Sequence, residues 1–588
     1  MDNTDAADRP PATTSSWTGA QAVAQVIATQ QEPVVYGMPG GHTMQIYDAL
    51  YTLRDRVEVS LVRQESVATV MAEARGRLTG RPAFVIGQGA WVLGNAGIGI
   101  MEAHLGASPV VLLIDATDGG SFSHQGPYQA GYGGHGAYDL AAALKAITKQ
   151  TFVANDATQA LQMTQLAVKH AVTGEPGPVA VVFHSRALFG RIDTATQPPS
   201  YLGRVDPATT PRLATEAMID SAAQLLRTAE RPVVIAGNGV RLAQAEGGLA
   251  AFADALDVPV ATTPAGKGTF PENHALAVGV MGSFGHETAN RVVGEADVLV
   301  VVGSKLGASD TANANPQLID LGRQRLVHID VESLNVSWIW PSDVAVLGDA
   351  GDSLPRLRKA VGTARFDGRE RVAAARASCG YFDRDPASGQ SELSGRDVVA
   401  VLSADLPEDA VVTCDAGENR LFVLREFQSK AGGTVLQPNG GGGMGYAIPS
   451  AMAAAALRPG RRIVAVCGDG GYSMTLTALM SAVELGLKLT VVVLDNGVLG
   501  WVHSGQRGRV IASTLSDFDY GGIAAAMGAE SRRASTVEEF REALGASARA
   551  SGVFVIVART STKDRYQDIM SSLNTDDVYA VLGEDMEP

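Results

Sequence analysis

The sequence predicts an α/β protein built as three consecutive doubly wound parallel-sheet domains, and three observations predict it. Helical-period segments alternate with short β-branched runs from Trp17 onward, the pattern of strands crossing over through helices into a parallel sheet. Two interruptions divide that alternation: a polar stretch at 197–211 with four prolines, and a charged run near 356–376. The chain has 588 residues, too many for one core when a domain takes about 100–200.

In chain order, the runs at 34–37, 59–62, 84–87, 110–114 and 179–183 predict the strands of a first domain over 17–192. The proline-rich stretch then reads as a linker. Runs at 233–236, 258–262, 298–303 and 326–330 predict a central domain over 212–360. Those at 411–415, 463–467, 489–494 and 554–558 predict a third over 390–575. Residues 1–16 are acidic and rich in Pro, Thr and Ser without an apolar core, so they are expected to form a disordered tail, neither signal nor anchor, on a cytoplasmic protein.

The chain is 46% hydrophobic and 19% charged, with a formal net charge of −15. Nucleic acid needs a basic face, and the lysines and arginines form no cluster beyond isolated pairs. A small-molecule enzyme is expected, with neither nucleic acid nor membrane as partner. The three cysteines, Cys379, Cys414 and Cys467, are too few and too widely spaced for a disulfide framework or a zinc site.

The most specific local signal is Cys467-Gly468-Asp469-Gly470-Gly471, between a predicted buried strand and a helix beginning near Tyr472. Open α/β sheets bind ligands at the carboxyl ends of their strands. There the glycines let backbone N–H groups approach an anion, the helix N-terminus adds a favourable dipole, and Asp469 suits a hard cation such as Mg²⁺. Another predicted strand delivers Asp495-Asn496-Gly497, with Asn496 lying 27 residues after Asp469. If the two strands are parallel neighbours, Asp469 and Asn496 reach one edge and can share a cation.

This pairing resembles the thiamine-diphosphate (ThDP) signature of the family containing acetolactate synthase, pyruvate oxidase and the 2-oxo-acid decarboxylases. The resemblance covers nearly the whole chain and names its domains pyrimidine-binding, central and diphosphate-binding. It implies that Asp469, Asn496 and the main-chain carbonyl of Val498 hold Mg²⁺ on the diphosphate. It further implies cofactor contacts at Gly41, Gly417, Glu418, Asn419, Gly442, Gly468, Gly470 and Gly471. Gly440-Gly441-Gly442-Gly443-Met444-Gly445 is similar to the glycine run whose bulky residue wedges the cofactor into a bent shape, the place of Met444.

In the first domain, Val62-Arg63-Gln64-Glu65 with Met71-Ala72-Glu73-Ala74 is similar to the segment carrying the family's catalytic glutamate. Glu65 is then the acid that hydrogen-bonds the aminopyrimidine and activates the cofactor. Gly87-Gln88-Gly89 stands where relatives have Gly-Pro-Gly, and Pro127-Tyr128-Gln129 where synthases have Phe-Gln, which makes Gln129 a substrate or cofactor contact. His124 and His135, in the glycine-rich loop around it, are candidate acid–base groups. Tyr36-Gly37-Met38-Pro39-Gly40-Gly41 also looks like the synthase turn. Decarboxylases place an acid or a serine at Gly41, so open space for a second carbonyl substrate is expected there.

The resemblance implies decarboxylation of a 2-oxo acid and ligation of the resulting enamine to a second carbonyl compound. It also implies a homodimer or tetramer with its active site between subunits. Alternatives are a decarboxylase, a lyase, a pyruvate-oxidase-like enzyme or a non-catalytic ThDP-binding protein. Three departures bear on substrate choice. Gly303-Ser304-Lys305-Leu306 stands where synthases carry an Arg-Phe-Asp-Asp-Arg run; Gly505 takes the place of a pocket-shaping Trp; and the segment from Gly89 to Asn95 is two residues longer. Gly237-Asn238-Gly239 and Ala265-Gly266-Lys267-Gly268 resemble flavin-bearing and flavin-free members alike and leave FAD open. Lys267 fails as a P-loop lysine because Gly268 follows it.

Overall fold

The computed structural model describes residues 16–118, 128–194, 212–386, 392–430 and 435–573. The expected tail before Ser16, the linker at 197–211, His124 and Pro127 lie outside the described residues. Twenty strands form three six-stranded parallel sheets and one small ribbon. The ribbon pairs β1 (Ser16–Thr18) antiparallel with β8 (Arg191–Asp193).

The first sheet comprises β2 (Val34–Gly37), β3 (Glu58–Leu61), β4 (Ala83–Gln88), β5 (Val110–Asp115), β6 (Gln150–Ala154) and β7 (Pro178–Phe183), in the order β3-β2-β4-β5-β7-β6. The second comprises β9 (Val233–Ala236), β10 (Val260–Thr262), β11 (Ala277–Val280), β12 (Val298–Val302), β13 (Arg325–Asp330) and β14 (Val344–Leu347), in the order β11-β10-β9-β12-β13-β14. The third comprises β15 (Val411–Cys414), β16 (Val435–Leu436), β17 (Ile463–Gly468), β18 (Leu489–Asp495), β19 (Glu530–Ala534) and β20 (Val553–Arg559), in the order β16-β15-β17-β18-β20-β19.

The inner strands β5, β7, β12 and β18 are buried along their whole length, as parallel strands covered by helices on both faces must be. Five edge strands, β6, β11, β14, β16 and β19, escaped the sequence reading, each for a local reason. β19 reads Glu-Ser-Arg-Arg-Ala and is largely exposed, β16 is 2 residues long, and β6 and β14 are only partly buried. β11 contains Gly279 at φ +87°, where a β-carbon would lie 2.7 Å from His286 Nδ1. A run of apolar β-branched residues finds strands buried on both faces, and edges lack it.

The chain divides into two compact units: residues 1–72, 82–104 and 109–210 form one, and residues 73–81, 105–108 and 211–588 the other. The helix Glu65–Thr79 therefore supplies Glu65 to the first unit, and its later turns belong to the second. There Tyr446 Oη donates to Glu73 Oε2 at 2.8 Å and Arg77 donates to the Gln437 carbonyl at 2.7 Å. In the first unit an apolar cluster packs on one face of the sheet. The second has a cluster on either face of the central sheet and another on one face of the third. Among the described residues no helix is long and apolar enough to cross a membrane, and the three cysteines are free thiols.

Candidate active site

At the third sheet the strand ends meet as the spacing requires. β17 and β18 are parallel neighbours, with Gly468 opposite Leu494, so Asp469 and Asn496 emerge at one edge. Asp469 Oδ1 accepts the Gly470 N–H and Oδ2 the Gly497 N–H, each at 2.8 Å. Asn496 Oδ1 accepts the Val498 N–H at 3.1 Å. Burial pushes the Asp469 carboxyl up to about 6 against the pull of those N–H groups.

These groups line one pocket with Gly417, Glu418, Asn419, Met444, Gly470 and Gly471. Gly417 has φ +102°, a conformation that favours glycine. Gly442 differs: it is exposed at φ +61° and is not part of this lining.

Two acids shape the floor. Glu418 accepts from Ser504 Oγ at 3.0 Å and from the Tyr566 N–H at 3.1 Å, and burial raises it to about 7. A β-carbon on Gly500 would lie 2.2 Å from its Oε2, so a side chain there would push the Glu418 carboxyl aside. Trp501, one residue on, stacks on Tyr566 with ring centroids 4.3 Å apart and meets Phe284 edge-on.

The second acid, Asp415, was missed by the sequence reading. Its Oδ1 accepts the Ala447 N–H at 2.6 Å, its buried Oδ2 has no partner, and burial lifts it to about 6. The signal was present, since Asp415-Ala416-Gly417 follows β15 as Asp469-Gly470-Gly471 follows β17.

The pocket suits a diphosphate and a hard cation. Glycine N–H groups and a helix start face an anion, while one carboxylate, one amide oxygen and one main-chain carbonyl are oxygen donors of the kind Mg²⁺ takes. Among the described residues no group of three or more His, Cys, Asp or Glu could hold a metal ion.

At the first sheet, Glu65 opens its helix beyond β3 and is 4% exposed. Its Oε2 accepts from Asn95 Nδ2 at 3.0 Å. Both residues line a cavity of ~340 Å³ with Met38, Gly40, Gln88 and Trp91. Gln88 donates to Gln129 Oε1, which ties Gln129, at φ +55°, to the cavity wall. His135 is exposed and outside that lining.

A side chain at Gly41 would meet close neighbours. A β-carbon there would lie 2.6 Å from Asp115 Oδ2 and 3.2 Å from Gln88 Nε2. Asp115, also missed in the sequence, clamps the two turns, accepting the His42 N–H at 3.0 Å and the Gly89 N–H at 3.1 Å.

In the central sheet the strand order reverses between β9 and β12, the place where such folds bind dinucleotides. Here the turns close on each other: Gly239 N–H donates to the Gly303 carbonyl at 3.0 Å, and a β-carbon on Gly303 would lie 2.5 Å from Gly239 Cα. The guanidinium of Arg241 serves the Ala265 and Lys267 carbonyls, and Asp330 Oδ1 accepts the Glu332 N–H at 2.8 Å. Lys267 is buried in an ion pair with Glu272 at 2.7 Å. These groups are engaged with one another.

Comparison with known proteins matches three domain models in order. The thiamine pyrophosphate enzyme N-terminal TPP binding domain matches residues 17–130, the central domain residues 219–357 and the C-terminal TPP binding domain residues 415–558. The probable acetolactate synthase large subunit of Methanocaldococcus jannaschii is 27% identical over 544 residues, covering 90% of this chain and 89% of that protein. The acetolactate synthase large subunit of Corynebacterium glutamicum is 28% identical over 497 residues, covering 83% and 76%. Acetolactate synthase isozyme 2 large subunit of Escherichia coli is 27% identical over 551 residues, covering 92% and 94%.

Proposed function

The chain belongs to the thiamine pyrophosphate enzymes, and we propose that within them it is an acetolactate-synthase-like carboligase that takes a 2-oxo acid and joins its remainder to a second carbonyl compound. The observation that carries this reading is the joint placement of Asp469, Asn496, Val498 and the glycine turn at one pocket, in a chain similar to acetolactate synthase large subunits over most of its length.

Bound there, thiamine diphosphate supplies the electron sink that lets the 2-oxo acid lose CO₂. The residues do the rest. Asp469, with the Asn496 amide oxygen and the Val498 carbonyl, holds Mg²⁺; Gly468, Gly470 and Gly471 admit the diphosphate; Gly417, Glu418 and Asn419 complete that wall. Met444 would support the bound cofactor, Glu65 would present its carboxyl to the aminopyrimidine, and Gln129 would contact substrate through the wall it shares with Gln88. Gly442 and Gly41 act through backbone shape. Pyruvate is the first donor to test, and a cytoplasmic homodimer or tetramer completes the proposal.

Crowding at Gly41 by Asp115 and Gln88 favours a second reading, decarboxylation without ligation. Purified protein incubated with ThDP, Mg²⁺ and pyruvate, with and without aldehyde or oxo-acid acceptors, separates the two. A coupled hydroxyketone that disappears in Glu65→Gln supports ligation; CO₂ and free aldehyde alone support the second reading. Cofactor binding without pyruvate turnover excludes pyruvate as donor, and light scattering reads the oligomer.

A further inference from the structure

We propose that Asn95 is a positioning residue for Glu65, deciding which oxygen of that carboxyl carries a proton into the cavity. The proposal rests on the reading of Glu65 given above.

Asn95 is the last residue of the helix Gly89–Asn95, the segment two residues longer than the corresponding synthase loop. Both ends of that segment are anchored. The Gly89 N–H donates to Asp115 Oδ1 at 3.1 Å. Just beyond Asn95, the Ala96 carbonyl accepts from Thr69 Oγ1 at 3.1 Å. Thr69 stands one turn along the helix that Glu65 opens, and its own hydroxyl also reaches the Glu65 carbonyl at 3.1 Å. Gly99 lets the next helix close on Thr69, since a β-carbon there would lie 2.3 Å from Thr69 Oγ1. One hydroxyl therefore joins the backbone of Glu65 to that of Ala96, and the Asn95 amide is carried against the Glu65 carboxyl.

The consequence is chemical. An amide N–H can only donate, so it tolerates Oε2 as a carboxylate or carbonyl oxygen and opposes an O–H there. With the Asn95 amide in this orientation, a proton on Glu65 sits on Oε1, which has no hydrogen-bond partner among the described residues and is not sealed from solvent. Arg63 shares the cavity and Tyr47 faces Glu65 from the neighbouring helix; neither is altered by a change at Asn95.

The test compares wild type with Asn95→Ala, Asn95→Asp, Asn95→Gln and Glu65→Gln, all loaded with ThDP and Mg²⁺. The readouts are exchange of the cofactor C2 proton followed by quenched-flow NMR, ThDP affinity as a function of pH by fluorescence quenching, and thermal unfolding. Asn95→Ala is expected to slow exchange about 10–100-fold, the scale of misplacing a proton-transfer group. Its ThDP affinity at the optimum should stay within about threefold, while the pH dependence of that affinity should differ from wild type, because the one donor to the Glu65 carboxyl among the described residues is lost. Asn95→Asp should be slower still and Asn95→Gln should recover part of the loss. Should Asn95→Ala fail to fold, Asn95→Asp, nearly isosteric, carries the comparison. Wild-type exchange and pH dependence in the Asn95 variants, with exchange lost in Glu65→Gln, would overturn the proposal and leave the role of Glu65 standing. Wild-type exchange in Glu65→Gln would remove the reading beneath it.

Discussion

A β-carbon on Gly471 would lie 2.0 Å from the buried, unpartnered Asp415 Oδ2. The glycine turn after β17 and the acid after β15 are therefore packed together with no room for a methyl group. Gly471→Ala is expected to force one of them aside, lowering ThDP affinity at least about tenfold and costing ~1–3 kcal/mol of stability, the usual range for overpacking. Fluorescence titration and thermal unfolding check both, and the double variant Gly471→Ala with Asp415→Ala should recover stability if the clash is the cause.

Asp469 accepts two backbone N–H groups and is the one carboxylate among the donors assigned to Mg²⁺. Asp469→Asn removes the negative charge and keeps the shape. Mg²⁺ titration at fixed ThDP should show affinity weakened at least about tenfold, equivalent to ~1.4 kcal/mol. Unchanged affinity would move the metal elsewhere.

Glu418 has its carboxyl raised from 4.5 to about 7 by burial. The folded state thus holds a proton that the unfolded state has released between those values, and stability falls as pH rises through that window. The apoprotein should lose up to about 3 kcal/mol from this group by pH 8. Glu418→Gln, which keeps an oxygen for Ser504 and Tyr566, should flatten that part of the melting-temperature profile between pH 5 and 8. A profile parallel to wild type would refute the assignment.

Lys267 and Glu272 form an ion pair buried at both ends, and Glu272 also accepts the Ser429 N–H at 2.7 Å. Lys267→Met leaves that carboxylate uncompensated and should destabilise the protein by about 3–5 kcal/mol. Adding Glu272→Gln should restore part of the loss. Thermal unfolding of the single and double variants measures the coupling.

The legible part of the site lay in compact strings. Asp469 and Asn496 each follow a strand that is buried over all or nearly all of its length, and such strands announce themselves by composition, so their ends could be located and their shared edge anticipated. Glu65 was legible only with its neighbours, because one glutamate at a helix start has no distinguishing chemistry. Asp415 and Asp115 look like ordinary acids after strands; what sets them apart is the glycine or backbone N–H that folding brings to each oxygen, from Gly471 and Ala447 in one case and His42 and Gly89 in the other.

By itself, the order of residues determined the parallel three-sheet architecture and the strand ends at which Asp469 and Asn496 meet, since each depends on residues near one another in the chain. Only the tertiary structure decided the edge strands, the close neighbours of Gly41, the unpartnered oxygen of Asp415 and the contact of Asn95 with Glu65. Those depend on distances between atoms remote in sequence, where a few tenths of an ångström separate a hydrogen bond from a clash and no local pattern records the difference.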